Sequence, residues 1–346
     1  MSIMKHVGTV LVFLILAVSC KNEDVAFAEP VFPEIYNVEA RILNDDFMFR
    51  HGYQPQVYDS LLLVSNMNDN DIICVFNKNN GALIKSLGRL GNGPYELITP
   101  IAFSVDQSGG YLYVNDYGRK DILKYDLNKI VKGAEDYVTA ISLGDEIKDR
   151  NSFLFVKDSL FITNGVFDRV ALVSPSQIKD KIEACSAVLG FESPQTWNQF
   201  MSSYSCNAIS PDGKKFASAT LIGGIVELYS IEGNNIKERE KKFFYEPIFD
   251  KKGVAYNPKP ETIYGFCHLS ATNAHLYATA HAKANPTTMP NTIWKFDWKG
   301  NPIASYTCKY PIENFTVDET VGKAFAVVYT EAGEQALAVI DLKGCV

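Results

Sequence analysis

From residue 31 onward, hydrophobic positions come in short runs and not at helical spacing. The runs are rich in β-branched and aromatic residues, and Gly, Asn, Asp and Pro separate them. These are the signals of strands and turns. The pattern therefore predicts an all-β chain, and its regularity makes an internal repeat the first possibility to test.

One unit recurs six times along the chain. In each unit a compact apolar strand follows a turn, and a variable loop leads to a partner strand. The first strands of these pairs are predicted at Leu61–Ser65, Tyr111–Asn115, Leu160–Asn164, Phe216–Thr220, Leu276–Ala280 and Ala324–Tyr329. Their partners are predicted at Ile72–Asn77, Ile122–Asp126, Val170–Ser174, Ile225–Ser230, Ile293–Asp297 and Ala336–Asp341.

The spacing of these units identifies the architecture. Successive first strands begin 50, 49, 56, 60 and 48 residues apart. Four strands in a repeat of about 40–50 residues are typical of propeller blades. We therefore predict a six-bladed β-propeller with four-stranded antiparallel blades over residues 31–346. A pair of β-sandwiches fits the near-regular spacing less well, and a seventh blade would need a hidden repeat within residues 229–264.

The two ends of the sequence predict how the ring closes. The sixth unit begins with a further strand near Phe315–Asp318, ahead of its predicted pair. Only five residues follow Asp341, so the unit lacks a fourth strand. Ile35–Leu43 is a spare strand-like segment ahead of the first blade. We expect this segment to complete the last blade, which would remove an exposed edge. The N-terminal tether would then leave the ring near the last blade.

The N-terminal 20 residues predict export. A weakly basic start is followed by the apolar run Val7–Val18, which is typical of a signal peptide and too short to span a bilayer. Ala17–Cys20 resembles a bacterial lipobox, so residues 1–19 are predicted to be cleaved and Cys20 to carry lipid. Residues 20–30 would form the lipidated cysteine and a polar tether. An ordinary signal peptide with a nearby cysteine is the alternative.

The residues after Cys20 concern the question of whether the protein faces the periplasm or the cell surface. Lys21–Asp24 resembles the short Lys-plus-acidic signal of surface-exposed lipoproteins in Bacteroidetes. The same residues also suit a solvated linker. The prediction is therefore an outer-membrane lipoprotein of the cell envelope, with periplasmic and surface exposure both open.

Charge narrows the choice of partners. The chain carries 33 basic and 40 acidic residues, and its densest basic stretch, Lys237–Lys242, is interrupted by glutamates. A mildly acidic chain without basic clusters is a poor nucleic-acid binder. We therefore expect contact with the membrane through lipid on Cys20, a protein or glycan partner, and no nucleic acid.

Cysteines other than Cys20 give no pattern for a metal or redox motif. They contain no C-x-x-C and no zinc spacing, and most interrupt apolar strand runs. They are interpreted as buried thiols, although an exported protein can form disulfides and the pairing stays open. The six are Cys74, Cys185, Cys206, Cys267, Cys308 and Cys345.

The segment Gly88–Glu96 (GRLGNGPYE) carries a family resemblance. The chain resembles the TolB-like or NHL-like six-bladed propeller lipoproteins of Bacteroidetes, which usually show a Gly-x-Gly-Pro-Gly-Glu-like loop between the first two blades. The resemblance lies in this loop and in the repeat pattern. It implies architecture and location more than activity. The loop residues concerned are Gly88, Gly91, Gly93, Pro94 and Glu96, with Tyr95 in place of the usual Gly.

Candidate chemistry in the sequence is sparse. The Gly-rich loop lacks the Lys-Ser/Thr pair of a phosphate-binding loop, so we interpret it as a structural crossover. Arg89 and Tyr95 on this loop remain possible ligand contacts. His268, His275 and His281 fall at different ends of their predicted strands, which disfavours a shared metal site. No G-x-S-x-G elbow occurs. We therefore predict no catalytic residue, metal or cofactor.

The sequence thus favours a binding or scaffold module that presents one mouth of a ring to a protein, peptide or glycan. A channel-mouth enzyme of lyase or lactonase type is the alternative. A structural subunit of an envelope complex is the third possibility.

Overall fold

The computed structural model of the chain describes residues 26–67, 69–164, 168–183, 204–252 and 255–342. It begins with two short strands that precede the ring, β1 (Glu34–Asn37) and β2 (Ala40–Asn44). Cys20, Cys185 and Cys345 lie outside the described residues. Within them, no helix is long and apolar enough to cross a bilayer.

Six antiparallel sheets follow in chain order, each starting from an inner strand. Blade one contains β3 (Gly52–Tyr58), β4 (Leu61–Asn66), β5 (Asp71–Asn77) and β6 (Leu83–Arg89). Blade two contains β7 (Pro100–Asp106), β8 (Tyr111–Asp116), β9 (Asp121–Asp126) and β10 (Val138–Ser142), with the short helix α1 (Leu127–Val131) before β10. Blade three contains β11 (Asn151–Lys157), β12 (Leu160–Asn164), β13 (Asp168–Ser174) and β14 (Gln177–Glu183).

The second half of the ring repeats this arrangement. Blade four contains β15 (Ser205–Ile209), β16 (Lys215–Thr220), β17 (Gly224–Glu232) and β18 (Asn235–Tyr245). A separate hairpin, β19 (Phe249–Lys252) and β20 (Ala255–Pro258), precedes blade five. Blade five contains β21 (Ile263–Ala271), β22 (His275–Ala284), β23 (Thr292–Asp297) and β24 (Pro302–Thr307). Blade six contains β25 (Ile312–Asp318), a 3₁₀ turn (Glu319–Val321), β26 (Lys323–Tyr329) and β27 (Gln335–Asp341).

These strands confirm the prediction of a six-bladed propeller. All six predicted pairs of neighbouring strands are present, with ends shifted by at most a few residues. The longest interval in the repeat, between blades four and five, contains the long β17–β18 hairpin and the β19–β20 hairpin. Those two hairpins occupy residues 229–264, where a seventh blade would need its hidden repeat.

The core is divided among the blade interfaces, because each sheet has two apolar faces. On β4, Leu61 and Leu63 pack against blade two, whereas Leu62 and Val64 pack against blade six. This alternation follows from the two-residue period of a strand. The same pattern gives the described residues one hydrophobic cluster at each of the six interfaces. A blade therefore cannot bury its apolar residues without both neighbours.

An N-terminal strand closes the ring in the last blade, as predicted. β2 pairs antiparallel with β27, with Ala40 opposite Ile340. The predicted segment Ile35–Leu43 is, however, two strands and not one. Its first part, β1, pairs in parallel with β24 and gives blade five a fifth strand. The chain crosses between the two blades at Val38, whose buried side chain belongs to the core they share.

The N-terminal segment also reaches blade four. The Phe27 ring contacts the Phe243 ring edge-on at 5.7 Å, and the Ala28 amide donates to the Phe243 carbonyl at 3.0 Å. Phe32 then packs against Trp294 of blade five. The segment therefore runs over the outer edges of blades four, five and six. The tether leaves the ring beside blade four and not, as expected, beside the last blade.

Candidate functional site

Every inner strand runs from one rim of the ring to the other. We call the rim where these strands begin, which the interblade loops cross, the loop rim. We call the rim where they end in hairpin turns the turn rim. The inner strands are β3, β7, β11, β15, β21 and β25.

A cavity of about 700 Å³ opens at the turn rim. All six inner strands contribute to its wall, so it is the end of the central channel and not a groove on one blade. Its wall combines apolar and polar side chains. One lining residue from each blade, in chain order, is Gln56, Val105, Leu154, Asn207, Leu269 and Thr316.

Two carboxylates at this cavity hold their own turns. Asp106 accepts from the amides of Ser108 and Gly109, both at 2.9 Å. Asp318 accepts from the Thr320 amide at 3.1 Å and pairs with Lys78 of blade one at 2.8 Å. Burial raises the pKa of the Asp318 carboxyl, but the hydrogen bonds from Lys78 and Thr320 outweigh it and keep that pKa below its ordinary value. Both groups therefore serve the fold.

Two serines in the wall are also engaged. Ser104 Oγ accepts from the Phe155 amide, which ties blade two to blade three at 2.9 Å. Ser270 Oγ accepts from the Val317 amide, which ties blade five to blade six at 2.9 Å. Each hydroxyl satisfies an inner-strand amide that would otherwise lack a partner. These serines act as interblade links, with no general base bonded to them among the described residues.

Three further polar residues belong to the wall of the cavity. Asn207 Oδ1 is buried and has no hydrogen bond within the described part of the chain. The side chains of Gln56 and Thr316 also line the cavity, and the described residues offer them no hydrogen bond. A buried polar group without a partner costs about 1–3 kcal/mol. That cost falls on Asn207 Oδ1, which has almost no accessible surface, whereas Gln56 and Thr316 are partly exposed and can bond to water.

A ring contact joins blades one and five on the loop-rim side of the cavity. There the ring of Tyr53, from blade one, meets the ring of His268, from blade five, with centroids 5.3 Å apart. Asn314 Nδ2 donates to His268 Nδ1 at 3.0 Å, which fixes that nitrogen as an acceptor. Burial lowers the pKa of His268 to about 3, so the imidazole is neutral at physiological pH.

The predicted family loop lies at the opposite rim and is held by its own glutamate. Glu96 Oε2 accepts from the Gly93 amide at 2.7 Å. A Cβ on Gly91 would lie 2.1 Å from that same oxygen, so a side chain there would displace the Glu96 carboxylate from the loop. Arg119 Nη1 donates to the Gly93 carbonyl at 3.0 Å. Gly88 and Pro94 belong to the same crossover between blades one and two.

The two proposed ligand contacts on this loop are both exposed, but they do not line the turn-rim cavity. Tyr95 is 47% exposed and has φ +62°, a conformation that glycine adopts more easily. The Arg89 carbonyl accepts from the Leu97 amide and anchors the loop base. Ligand contact by either side chain stays a prediction.

The three histidines lie in separate environments. His275 Nδ1 bonds Glu319 Oε1 at 2.6 Å in the turn rim, whereas His268 bonds Asn314 inside the channel. Burial lowers the pKa of His281, which lies farther along β22. Over the described ranges, no three His, Cys, Asp or Glu side chains are arranged to hold a metal ion.

The described cysteines are unpaired thiols. Cys74 and Cys308 are buried, and Cys206 and Cys267 are half-buried. Burial raises the pKa of the Cys74 and Cys267 thiols to about 12, so neither is a ready nucleophile.

Reasoning from the sequence missed the turn-rim residues. Gln56, Asn207 and Thr316 belong to inner strands, which are the least distinctive strands of each repeat. Nothing in the sequence near any of them marks a site. Aligning the six inner strands by repeat would have placed them in one channel, but would not have shown which were unpaired.

Comparison with known proteins agrees with the fold. A protein from Bacteroides fragilis (BF0058), described as exported, has 15% identity and a TM-score of 0.58, over 92% of this chain and 99% of its own. A DUF4221 family member from Bacteroides vulgatus has 10% identity and a TM-score of 0.54, over 88% and 95%. A gluconolactonase from Xanthomonas campestris (XC5397) has 12% identity and a TM-score of 0.51, over 92% and 96%. At these identities the similarity shows the fold alone.

No curated protein matches the sequence. The model of the TolB-like 6-blade propeller-like family matches residues 31–320, which is most of the chain. The match spans blades one to five and the inner strand of blade six, and it agrees with the six interfaces described above. The chain therefore belongs to the TolB-like six-bladed propeller family.

Proposed function

We propose that this chain is a lipid-anchored propeller of the cell envelope that acts as a binding module, with the turn-rim cavity as its ligand site. The observation that supports the proposal is the convergence of all six inner strands on one cavity with a wall of polar and apolar side chains. A well-formed cavity with a few convergent polar groups is where a ligand is expected to bind.

The state of the polar groups favours binding over catalysis. A lyase or lactonase needs a general acid or base free to reach substrate. At the turn rim, Asp106 and Asp318 are occupied by turn amides and a lysine, and the wall serines are occupied by inner-strand amides. Inside the wall, the Gln56 amide and the Thr316 hydroxyl recognise hydrogen-bonding partners but do not transfer protons at neutral pH. Asp59 and Lys157, which also line the cavity without an ion pair to another described residue, stand at its mouth, and Asp59 is exposed to solvent.

The membrane anchor is part of the proposal. From Cys20 to Phe27 the chain has seven residues, which extend to at most about 25 Å. Lipid on Cys20 would therefore keep the outer edge of blade four close to the bilayer. A Cys20→Ala variant is expected to lose lipid labelling and leave the membrane fraction. Continued lipid incorporation in that variant would mean that the anchor is assigned wrongly.

The cavity is tested by filling it. Thr316→Trp places an indole in the turn-rim cavity, while Thr139→Trp adds the same group on the exposed outer strand β10. Wild type and Thr139→Trp should capture the same partner after crosslinking in intact cells, and Thr316→Trp should lose it. Far-UV circular dichroism and urea unfolding confirm that both variants are folded.

Equal capture by both tryptophan variants would refute the cavity as the binding site. That result would favour a structural subunit of an envelope complex, which would contact its neighbours through the outer surface.

A further inference from the structure

We propose that the N-terminal segment of the ring docks on the lipid bilayer, with the side chains of Val31, Pro33 and Ile35 inserted into the headgroup region. The proposal rests on the lipid anchor of the proposed function and adds a docking surface on the outer edge of blades four and five. This contact would set the orientation of the ring to the membrane.

Alternate residues of this segment face in opposite directions. The rings of Phe32 and Tyr36 pack on blade five and join the cores on either side of it. Val31, Pro33 and Ile35 are exposed to solvent. Successive residues of an extended chain point to opposite sides, so these three apolar side chains share the outward side. We call them the N-terminal stripe.

The N-terminal stripe contains the side chains that the fold leaves most open. Val31, Met48 and Ile35 are the most exposed large hydrophobic residues in the described part of the chain, at 82%, 78% and 74%. Exposed aliphatic side chains are ordinary when they are scattered singly. Here two of the three stand on one short segment with a proline between them.

The position of the stripe along the chain identifies the bilayer as its occupant. The segment is fixed to blade four at Ala28, whose amide donates to the Phe243 carbonyl at 3.0 Å. Cys20 precedes Ala28 by eight residues, which extend to at most about 29 Å. Lipid on Cys20 would hold the stripe within reach of the bilayer at a high effective concentration, so a small apolar contact is enough to keep it there.

A second protein is a poorer occupant for the stripe. A stable protein interface buries about 800 Å² on each partner, and three side chains cover far less. The charged residues of the segment itself, Glu29 and Glu34, are acidic and do not attract anionic headgroups. The contact therefore depends on apolar burial. Burying the two aliphatic side chains should raise the ratio of docked to undocked protein about 100-fold, which corresponds to about 3 kcal/mol.

The test places a fluorescent reporter on the stripe of the full-length lipidated protein. Pro33→Trp puts an indole on the stripe, and Thr139→Trp puts one on the exposed strand β10 of blade two, across the ring. The vesicles consist of phosphatidylethanolamine and phosphatidylglycerol with bromine on the acyl chains. Bromine quenches an indole only at short range. Pro33→Trp should therefore lose most of the emission that it adds to wild type, and Thr139→Trp should lose none.

Two pairs of serine substitutions assign the contact. In the Pro33→Trp protein, Val31→Ser with Ile35→Ser should abolish most of the quenching. Met48→Ser with Val131→Ser, which removes two exposed hydrophobic side chains elsewhere, should leave it unchanged. All four side chains are on the surface, and urea unfolding confirms that the variants are folded.

The outcomes separate the docking from the anchor. Equal quenching at residues 33 and 139, or quenching that the first serine pair does not change, overturns the docking and leaves the anchor and the cavity in place. A dimer of the soluble protein that this serine pair converts to a monomer in ultracentrifugation would make a second copy the occupant and also overturn it. Lipid incorporation in Cys20→Ala would instead count against the anchor of the proposed function.

Discussion

Gly265 lies at a backbone junction between blades four and five, and its replacement gives a sharp test of the packing. The Gly265 amide donates to the Leu221 carbonyl at 2.7 Å, and the Gly223 amide donates to the Ile263 carbonyl at 2.9 Å. These bonds flank a bridge between Ile222 and the start of β21. A Cβ on Gly265 would lie 1.7 Å from the Gly223 carbonyl oxygen. Gly265→Ala must therefore push the two main chains apart.

The cost follows from what has to move. A Cβ at 1.7 Å from an oxygen needs a displacement of more than 1 Å, because real contacts of this kind are not shorter than 3.0 Å. That displacement breaks both hydrogen bonds, at about 0.5–1.5 kcal/mol each. Overpacking adds about 1–3 kcal/mol. We expect Gly265→Ala to lower the free energy of unfolding by about 3 kcal/mol.

A matched alanine variant separates crowding from backbone conformation. Gly233 has φ +62° and no heavy atom within 4 Å of its Cβ position, so Gly233→Ala carries only the cost of the left-handed conformation, about 1 kcal/mol. Urea unfolding can be followed through Trp294 and Trp298 of blade five. The reasoning fails if Gly265→Ala is no more destabilising than Gly233→Ala.

Three further predictions address charge and strain. The pKa of His268 falls to about 3 on folding, so acid favours the unfolded state. Lowering the pH from 6.5 to 5.0 should therefore cost about 1.6 kcal/mol of stability, and His268→Gln should remove that part of the pH dependence in urea titrations. Tyr95→Gly should leave the stability unchanged or raise it by up to about 1 kcal/mol, since φ +62° suits glycine; a clear loss in thermal unfolding would contradict this. Lys78→Met should cost about 1 kcal/mol, because the half-buried Asp318 carboxylate would lose its cation but keep its hydrogen bonds from Thr320, and the double variant with Asp318→Asn should recover part of the loss.

The sequence predicts the repeat well because the second and third strands of each blade are the most apolar. In segments such as LLLVS (Leu61–Ser65), successive side chains pack against two neighbouring blades in turn, and nearly all of them are apolar. Their spacing alone fixes the number of blades. The sequence pattern does not predict that Ile35–Leu43 is divided between two blades, because the apolar pattern continues through the crossing at Val38. Parallel pairing of β1 with β24 depends on the three-dimensional proximity of blade five.

The candidate site was much harder to predict. Ser104 and Asn207 are small polar residues on inner strands, and the sequence makes them look alike. In the structure Ser104 bonds a neighbouring amide, while Asn207 Oδ1 has no partner among the described residues. Whether a polar residue is available for a ligand depends on contacts made by other blades. The Gly-rich loop has an unusual composition that stands out in the sequence, yet in the structure the Glu96 carboxylate holds the loop together.

The pairing of β2 with β27 has a consequence for the order of folding. Ala40 and Ile340 are opposite each other, although they stand near the two ends of the chain. Synthesis proceeds from the N terminus, so the strand that closes the ring is made before every blade and finds its partner only after the last one. Contacts of such long sequence separation form slowly. Until then the edge of β2 and one face of blade one are uncovered, and the nascent chain is open to aggregation.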